Sequence, residues 1–305
     1  MAEAPNTKVS QERLLTAIAA ELRSMPQLPL VTVRVMQLVN QSSTSADDLS
    51  RVIAADPGLA SQILRLVNSA YYGFPRRVTT ITEAIVVLGF NTVKYLVASV
   101  AVAQAFAPRG KCALNRENYW AHSLATAVAA KSISRHVGLS TNQADEVFVG
   151  GLLHDIGKLF LDQIFPQQYA VTLRVAQTAH LSVLQAEGAS LGIQHCHVGK
   201  LLAHKWNFPV SLMSMIALHH HPATAKDDFN LVAVVHAADR VAHTLNLVDC
   251  PTDAIPALDP DVEKWMRISS KGWDAIERET LEQFQDAKEF LNVTGAKEGR
   301  APAGV

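Results

Sequence analysis

A histidine and an aspartate lie side by side within the apolar run LLHDIGK, residues 152–158. Burying the carboxylate of Asp155 between leucine and isoleucine costs free energy unless a hydrogen-bond donor or a cation compensates it. The nitrogens of His154 and the oxygens of Asp155 are also good ligands for a divalent ion of the iron, manganese or zinc kind. A fold that buries this run must bring compensating groups to it, and the sequence therefore predicts a metal site at this point.

The histidines of the chain are concentrated in one region, because all 12 lie between His122 and His243. A metal site inside a helical bundle collects ligands from several facing helices. The candidate ligands lie on separate predicted helices, except for two pairs of adjacent residues. Their number suits one divalent ion or two. The predicted metal ligands are His122, His154, Asp155, His195, His219, His220 and Asp239. A hydrogen-bonded histidine in the core remains the alternative for each histidine of the set.

The remaining histidines and one lysine are assigned more ordinary roles. Four histidines are predicted to be surface or packing residues: His136, His180, His204 and His243. His197 and His221 extend local clusters. Lys158, one turn after the His-Asp pair, is either a solvated lysine or a cation that pairs with a phosphate group.

Composition excludes several classes of protein. A net charge of −1 and a pI near 6.9 give no basic field for nucleic acid. The 3 cysteines are widely spaced and odd in number, which fits neither a disulfide framework nor a cysteine-based zinc site and favours a reducing cytoplasm. No apolar run reaches the roughly 18 residues of a membrane span, so we expect no membrane segment and no signal peptide.

Helical spacing recurs along the whole chain, whereas alternating strand patterns are nearly absent, and the fold is predicted to be all-α. Leucine and isoleucine share one face of a helix over residues 11–24, which Pro26 ends. Capping boxes predict further helix starts at Ser45, with Asp48 three residues on, and at Thr80, with Glu83. In the second half, one predicted helix carries both His154 and Asp155, whose side chains would diverge by roughly 100°. A helical tail is predicted over residues 260–291.

Helix-breaking residues along the chain also suggest how it divides into domains. Residues 1–24 form an N-terminal helical extension, and the main domain covers residues 25–291. That domain divides into a helical front, 25–107, and a rear part, 114–291, across a joint at residues 107–116 that contains proline and glycine. Residues 292–305 are predicted to be a disordered tail.

An aromatic loop interrupts the helical front. The loop begins three residues after Asn68 and consists of Tyr71, Tyr72, Gly73, Phe74 and Pro75. Large rings gain most free energy by burial. We expect this loop to plug a seam between helices, and not to bind an aromatic ligand.

These motifs together resemble a known family. LLHDIGK, the distant His122, the His219-His220 pair and Asp239 are similar to the HD superfamily of metal-dependent phosphohydrolases. The front-half runs LPLVTVRVMQLVN, DPGLASQILRLVNSAYYGF and ITEAIVVLGFNTVK resemble the HDOD (HD-related output domain) family more particularly. The rear half follows that family's E-x4-G-x2-H-x2-V-G…W spacing with Glu187, Gly192, His195, Val198, Gly199 and Trp206. The resemblance covers about residues 25–291.

The resemblance implies a helical N-terminal subdomain packed on an HD-like subdomain, in a bacterial signalling module. Many such modules have lost metal ligands and activity, whereas this chain retains nearly the full ligand set. Active cyclic-di-GMP phosphodiesterases of the superfamily carry Gly-Tyr-Pro shortly after the His-His pair, where this chain has HPAT at residues 221–224. Activity on cyclic-di-GMP is therefore not expected.

Three functions remain open. The first is a regulatory protein that acts through contacts with signalling proteins and has no enzymatic activity. The second is a metal-dependent phosphohydrolase acting on a nucleotide or phosphate ester, in which Asp155 and Lys158 would be the catalytic residues. The third is a sensor whose packing changes when metal binds. The sequence leaves the partner, the substrate and the oligomeric state open.

Overall fold

The computed structural model describes residues 7–39, 41, 43–107, 110, 112–247, 255–288 and 291–292. Helices account for the regular structure of these residues, and no strand occurs among them, which confirms the all-α prediction. The front half contains α1 Thr7–Ser24, α2 Leu30–Val39, α3 Ala46–Ala54, α4 Pro57–Val67, α5 Ile81–Leu88 and α6 Phe90–Ala105. The rear half begins with α7 Arg116–His136, α8 Thr141–Leu153, α9 Ile156–Ile164, α10 Pro166–Ala179 and α11 Val183–Leu191. It continues with α12 His195–Lys205, α13 Val210–Leu218, a short 3-10 helix Pro222–Thr224, α14 Phe229–Thr244, α15 Pro260–Met266 and α16 Ser270–Ala287.

The predicted helix starts hold where a side chain caps the helix. The Ser45 hydroxyl accepts a hydrogen bond from the backbone N–H of Asp48, and the Asp48 carboxylate accepts one from the backbone N–H of Ser45. Thr80 caps α5 by accepting from the backbone N–H of Glu83. Such bonds satisfy N–H groups that have no partner within the helix, so these starts were readable from the sequence.

Two predicted helices are broken in the structure. The helix expected to carry both His154 and Asp155 ends at Leu153, and a new helix starts at Ile156. The expected tail over residues 260–291 is interrupted between Met266 and Ser270, where Arg267 adopts a left-handed conformation. Helices α10 and α11 had no counterpart in the sequence-based prediction.

One continuous hydrophobic core extends through both halves of the chain, from Ile18 to Ala287. Its centre is α7, which packs against α8, α14 and α16. Helix α6 of the front half packs against α8 of the rear half, so α8 contacts both halves and ends directly at the His-Asp pair. The division at residues 107–116 stays a prediction, and its residues 108, 109 and 111 lie outside the described residues, as does the predicted tail after residue 292.

The aromatic loop packs where the two halves meet. The Tyr71 ring stacks on Phe148 of α8 at a centroid distance of 5.4 Å, and the Lys131 ammonium of α7 lies 5.6 Å from the Tyr71 ring centroid. The Asn68 side chain makes two hydrogen bonds of 2.8 Å with the backbone of Val78, which close the loop. These contacts agree with the predicted structural role of the loop.

No single helix among the described residues combines the length and hydropathy of a membrane span, and one pair bent by 120°, Ile81–Leu88 with Phe90–Ala105, does so only when taken together.

Candidate metal centre

The His-Asp pair lies in the turn between α8 and α9. His154 still has helical dihedral angles, with φ −54° and ψ −35°, but Asp155 departs from them, with φ −100° and ψ 13°. Because the chain turns here, the two neighbouring side chains converge, and His154 Nε2 lies 3.2 Å from Asp155 Oδ2. The predicted divergence of the pair along one helix is therefore wrong.

Gly157 allows a second helix to approach this turn. A Cβ atom on Gly157 would lie 1.9 Å from the carbonyl oxygen of His195, a distance that no side chain can accept. The close approach of α9 and α12 brings His195 Nε2 to 3.1 Å from Asp155 Oδ1. Glycine in the LLHDIGK run is thus a packing requirement of the centre.

The other predicted ligands come to the same place from three further helices. His122 lies in the middle of α7, with its Nε2 3.2 Å from Asp239 Oδ1 of α14 and 3.8 Å from Asp155 Oδ2. His219 follows the end of α13, and its Nε2 is 3.7 Å from Asp155 Oδ1. His220 Nε2 is 3.1 Å from His195 Nε2. All the residues predicted as metal ligands therefore lie in one cluster.

Backbone carbonyl groups fix the orientation of three of these histidines. The Nδ1 atoms of His122, His154 and His219 lie within 2.7 to 3.0 Å of the carbonyl oxygens of Leu247, Gly151 and Ile216, respectively. A carbonyl oxygen only accepts, so each Nδ1 must carry the proton and each neutral ring has its lone pair on Nε2. The Nε2 atoms face the two aspartates, which is the arrangement that a metal-binding histidine requires.

Electrostatics keeps both carboxylates ionised and His219 neutral. Burial raises the pKa of Asp155, but the neighbouring His154, Lys158 and His195 outweigh it and hold that pKa well below its usual range. Burial also raises the pKa of Asp239, but hydrogen bonding and charge from His122 and His243 outweigh it and hold that pKa well below its usual range. Burial and the nearby His154 lower the pKa of His219 to about 3. Ionised carboxylates and neutral imidazoles are the forms that bind divalent metals.

The donor set fits a metal. Asp155 Oδ1, His154 Nε2 and His219 Nε2 are buried atoms to which the described residues supply no hydrogen bond of ordinary geometry, a cost that a cation would remove. The donor atoms fall into groups whose members lie within 4.8 Å of one another. These groups are Asp155-His195-His219-His220, His122-His154-Asp155 and His122-Asp239-His243. Asp155 belongs to two of them, so its two oxygens can serve two neighbouring ions.

His243 lies in the cluster, where the sequence did not predict it. Of the two roles assigned to it, surface or packing, the surface role does not hold, because the side chain is 7% exposed and its Nε2 lies 3.5 Å from Asp239 Oδ1. His243 follows Asp239 by four residues on α14, so both side chains occupy the same face of the helix. That spacing was the available signal, and it was not used.

Glu187 and Tyr169 were also missing from the predicted site. The Glu187 carboxylate lies 2.7 Å from Nδ1 of His195 and accepts a 2.7 Å hydrogen bond from the His195 backbone N–H. The Tyr169 hydroxyl donates to the other oxygen of Glu187 at 2.9 Å. A carboxylate behind a metal-binding histidine orients the ring and raises its basicity. Glu187 had been noted only as part of a spacing pattern.

A cavity of about 270 Å3 opens onto the cluster. Its lining includes Asp155, His195, His220, Asp239 and His243 of the cluster, and residues around the start of α11 such as Ser182 and Gln185. Lys158 lines the cavity as well, and its ammonium lies 2.8 Å from Asp155 Oδ2. Lys158 is 5% exposed, so it is not the ordinary solvated lysine that was one of the two expectations.

The histidines outside the predicted ligand set differ in their positions. His180 lines the cavity, at the left-handed end of α10. His236, which was not assigned a role, is buried and joins the end of α13 to the start of α15, with Nδ1 2.8 Å from His219 O and Nε2 accepting from the Asp259 backbone. The exposed histidines are His136, His180, His197, His204 and His221.

Comparison with known proteins gives the fold and the family. The chain is 25% identical to the HDOD domain protein with unknown function from Geobacter sulfurreducens, with a TM-score of 0.67, covering 94% of this chain and 97% of that one. A structure from Shewanella amazonensis SB2B, provisionally named a phosphohydrolase, has a TM-score of 0.63 at 24% identity and covers 87% of this chain and 98% of that one. The similarity to this second structure supports the fold and nothing further.

A curated relative from Treponema pallidum (strain Nichols), called an uncharacterized protein, is 23% identical over 278 residues, which are 91% of this chain. The chain spans 53% of the length of that relative. The family model for the HDOD domain matches residues 25–222, a range that contains the aromatic loop, the His-Asp turn and the His219-His220 pair. The chain belongs to the HDOD domain family.

Proposed function

We propose that this chain is a metal-dependent phosphohydrolase that cleaves a phosphate ester in the cavity beside the histidine–aspartate cluster. The observation that carries the proposal is the accessibility of the cluster. Metal sites that only stabilise a fold are closed by protein ligands, whereas catalytic sites keep a position for water or substrate. Here the residues Asp155, His195 and His220 line a cavity.

Two neighbouring ions suit the donor set. His195, His219 and His220 would hold one of them, His122, His154 and Asp239 the other, and Asp155 would contact both. Imidazole and carboxylate donors together suit iron, manganese or zinc. Bound divalent ions would supply polarisation of the phosphoryl oxygens and an activated water molecule.

The protein's own groups would position the substrate. Lys158 has a buried stem and an ammonium group at the cavity wall, where it would neutralise part of the charge on the phosphate. Glu187 would keep the His195 ring in place through its contact with Nδ1, while Nε2 of the same ring faces Asp155. Holding the reacting groups in a fixed geometry is a large part of the rate enhancement in such reactions.

Cyclic-di-GMP is not the substrate that we expect. The short 3-10 helix Pro222–Thr224 begins two residues after His220. No Gly-Tyr-Pro segment occurs there. The cavity of about 270 Å3 is also smaller than the roughly 300–1,000 Å3 typical of sites for larger ligands. A small phosphate ester fits this volume better.

A regulatory role through protein contacts is a second candidate, and one observation favours it. The cavity-lining residues lie between Asp155 and Pro256, so the described part of the front half does not contribute to the cavity. A front half without a share in the site is available for signalling partners, whose identity and the oligomeric state stay open.

The test combines metal analysis with a hydrolysis screen. The purified protein, loaded with manganese or iron, is incubated with p-nitrophenyl phosphate, bis(p-nitrophenyl) phosphate, mononucleotides and cyclic-di-GMP. We expect bound metal and turnover of a small ester, both lost in His154→Ala and both kept in His204→Ala, which changes an exposed histidine. Metal without turnover would favour the regulatory candidate, and a protein that takes up no metal would overturn the proposed centre. Rapid conversion of cyclic-di-GMP would show that the reading of the missing motif is wrong.

A further inference from the structure

His243 is buried beside the centre and faces Asp239 at a distance that is long for a hydrogen bond. Its side chain is 7% exposed, and its Nδ1 is a buried atom that has no hydrogen-bond partner among the described residues. Its Nε2 lies 3.5 Å from Asp239 Oδ1, which is longer than the 2.7–3.2 Å of a good N–H···O hydrogen bond.

The same distance suits two ligands of one ion. Metal bonds to nitrogen and oxygen are about 2.0–2.2 Å long, so two donors of one ion lie roughly 3–4 Å apart. Asp239 Oδ1 is 3.5 Å from His243 Nε2 and 3.2 Å from His122 Nε2. The rings of His122 and His243 are also neighbours, with centroids 5.2 Å apart. The three residues form one of the donor groups whose atoms lie within 4.8 Å of one another.

We propose that His243 is a protein ligand of the ion on the His122–Asp239 side of the centre. This inference rests on the proposed metal centre and extends its donor set. His122 has only Nε2 to offer, because its Nδ1 is held by the carbonyl of Leu247 at 2.8 Å. One ion therefore serves His122, Asp239 and His243, and no separate third position is created.

The added imidazole makes the two ion positions unequal. The position on the His122 side gains a nitrogen donor and loses a site that water or substrate would otherwise occupy. It should prefer metals that favour imidazole, such as zinc or iron, over magnesium. The position of Asp155, His195, His219 and His220 gains no such donor, although residues of both positions line the cavity.

Cobalt titration tests the role of His243 without measuring activity. Metal-free full-length protein is titrated with Co2+, and visible absorption reports the coordination of each equivalent. We expect two equivalents in the unmodified protein. In His243→Gln, one equivalent should bind about 10–100-fold more weakly, in line with the cost of losing supporting groups of a metal site, and its absorption should change. The other equivalent should keep its affinity and spectrum.

Two further variants make the outcome decisive. His221→Gln changes an exposed histidine next to the cluster and should titrate like the unmodified protein. His243→Glu places a carboxylate ligand at a reach comparable to that of Nε2 and should restore most of the lost affinity, which a residue with only a packing role would not do. Unchanged affinity and spectrum in His243→Gln would overturn the inference while leaving the proposed centre intact. If the unmodified protein binds no cobalt, both the inference and the proposed centre fail.

Discussion

The aromatic loop and the histidine–aspartate cluster are both dense groups of ring side chains, yet their polar atoms are arranged differently. At the loop, the Asn68 amide makes hydrogen bonds of 2.8 Å with Val78 in both directions. Lys131, which lies near the Tyr71 ring, pairs with Asp145 at 2.9 Å. The Asn68 amide and the Lys131 ammonium are thus paired within the chain itself.

The cluster is not complete in this way. Carbonyl groups hold the Nδ1 atoms of His122, His154 and His219, so the proton of each ring points away from the centre and lone pairs point into it. The carboxylates of Asp155 and Asp239 add negative charge at the same point. Lone pairs and carboxylates that converge in a buried place are stabilised by a cation. The loop is therefore a packing cluster, whereas the histidine–aspartate cluster is one that could bind a metal ion.

The largest expected effect is that of Asp155→Asn on metal binding. Asp155 belongs to two of the donor groups, and the amide removes the negative charge that both ion positions share. We expect affinity for both ions to fall by more than about 100-fold, since changes that do not even remove a ligand cost about 10–100-fold. Elemental analysis after dialysis measures the loss.

The control for this variant is Asp227→Asn, which alters an exposed aspartate outside the cluster. It should retain the metal content of the unmodified protein. Retention of both ions by Asp155→Asn would show that the cluster is a hydrogen-bonded core, and the contrast with the aromatic loop would disappear.

Tyr71→Ala should produce the opposite pattern, with lost stability and retained metal. The change removes the ring that stacks on Phe148 at 5.4 Å and leaves a gap between the front half and α8. We expect the free energy of unfolding to fall by about 3 kcal/mol, as for other large aromatic truncations. Urea unfolding measures this, and elemental analysis checks the metal content.

Tyr71→Phe keeps the stacked ring and should unfold much nearer to the unmodified protein. If Tyr71→Ala instead released metal from folded protein, the loop and the centre would be coupled through α8, and treating them as independent clusters would be a mistake.

Local patterns predicted most of the fold. Helix starts at Ser45 and Thr80 were predicted because the capping interactions lie within four residues in sequence. The break between His154 and Asp155 was missed, since apolar residues continue through the run and the turn depends on the packing of α9 against α12 at Gly157. Tertiary contacts of this kind have no local signature.

The candidate site was predicted only as far as unusual residue types and motifs indicated it. Histidines and aspartates in apolar surroundings were informative, and the predicted ligands do lie together. The place of His243 in the cluster was not predicted, although this residue follows Asp239 by one helical turn, because a single histidine on a helix is usually a surface or packing residue. Tyr169 carries no such signal at all, since its contact with Glu187 joins α10 to α11, two helices that were not predicted.

The smallest effect that we expect to resolve is that of Glu187→Gln. The Glu187 carboxylate lies 2.7 Å from His195 Nδ1. Burial lowers the pKa of His195, but the charges of Glu187 and Asp155 outweigh it and raise that pKa well above its usual range. Glutamine keeps the size and one acceptor oxygen but not the charge, so the ring stays in place and becomes a weaker donor. We expect about 10-fold weaker binding of one ion, at the lower end of the range for such supporting groups.

Calorimetric metal titration can detect this difference, because the ion on the His122 side has no contact with Glu187 and provides an internal reference. Tyr169→Phe removes only the 2.9 Å hydrogen bond to the outer oxygen of Glu187 and should weaken the same ion less. Equal weakening of both ions by Glu187→Gln would mean that the carboxylate supports the packing of the whole cluster. In that case the His195 side would resemble the aromatic loop, where polar groups serve the fold, more than it resembles a metal site.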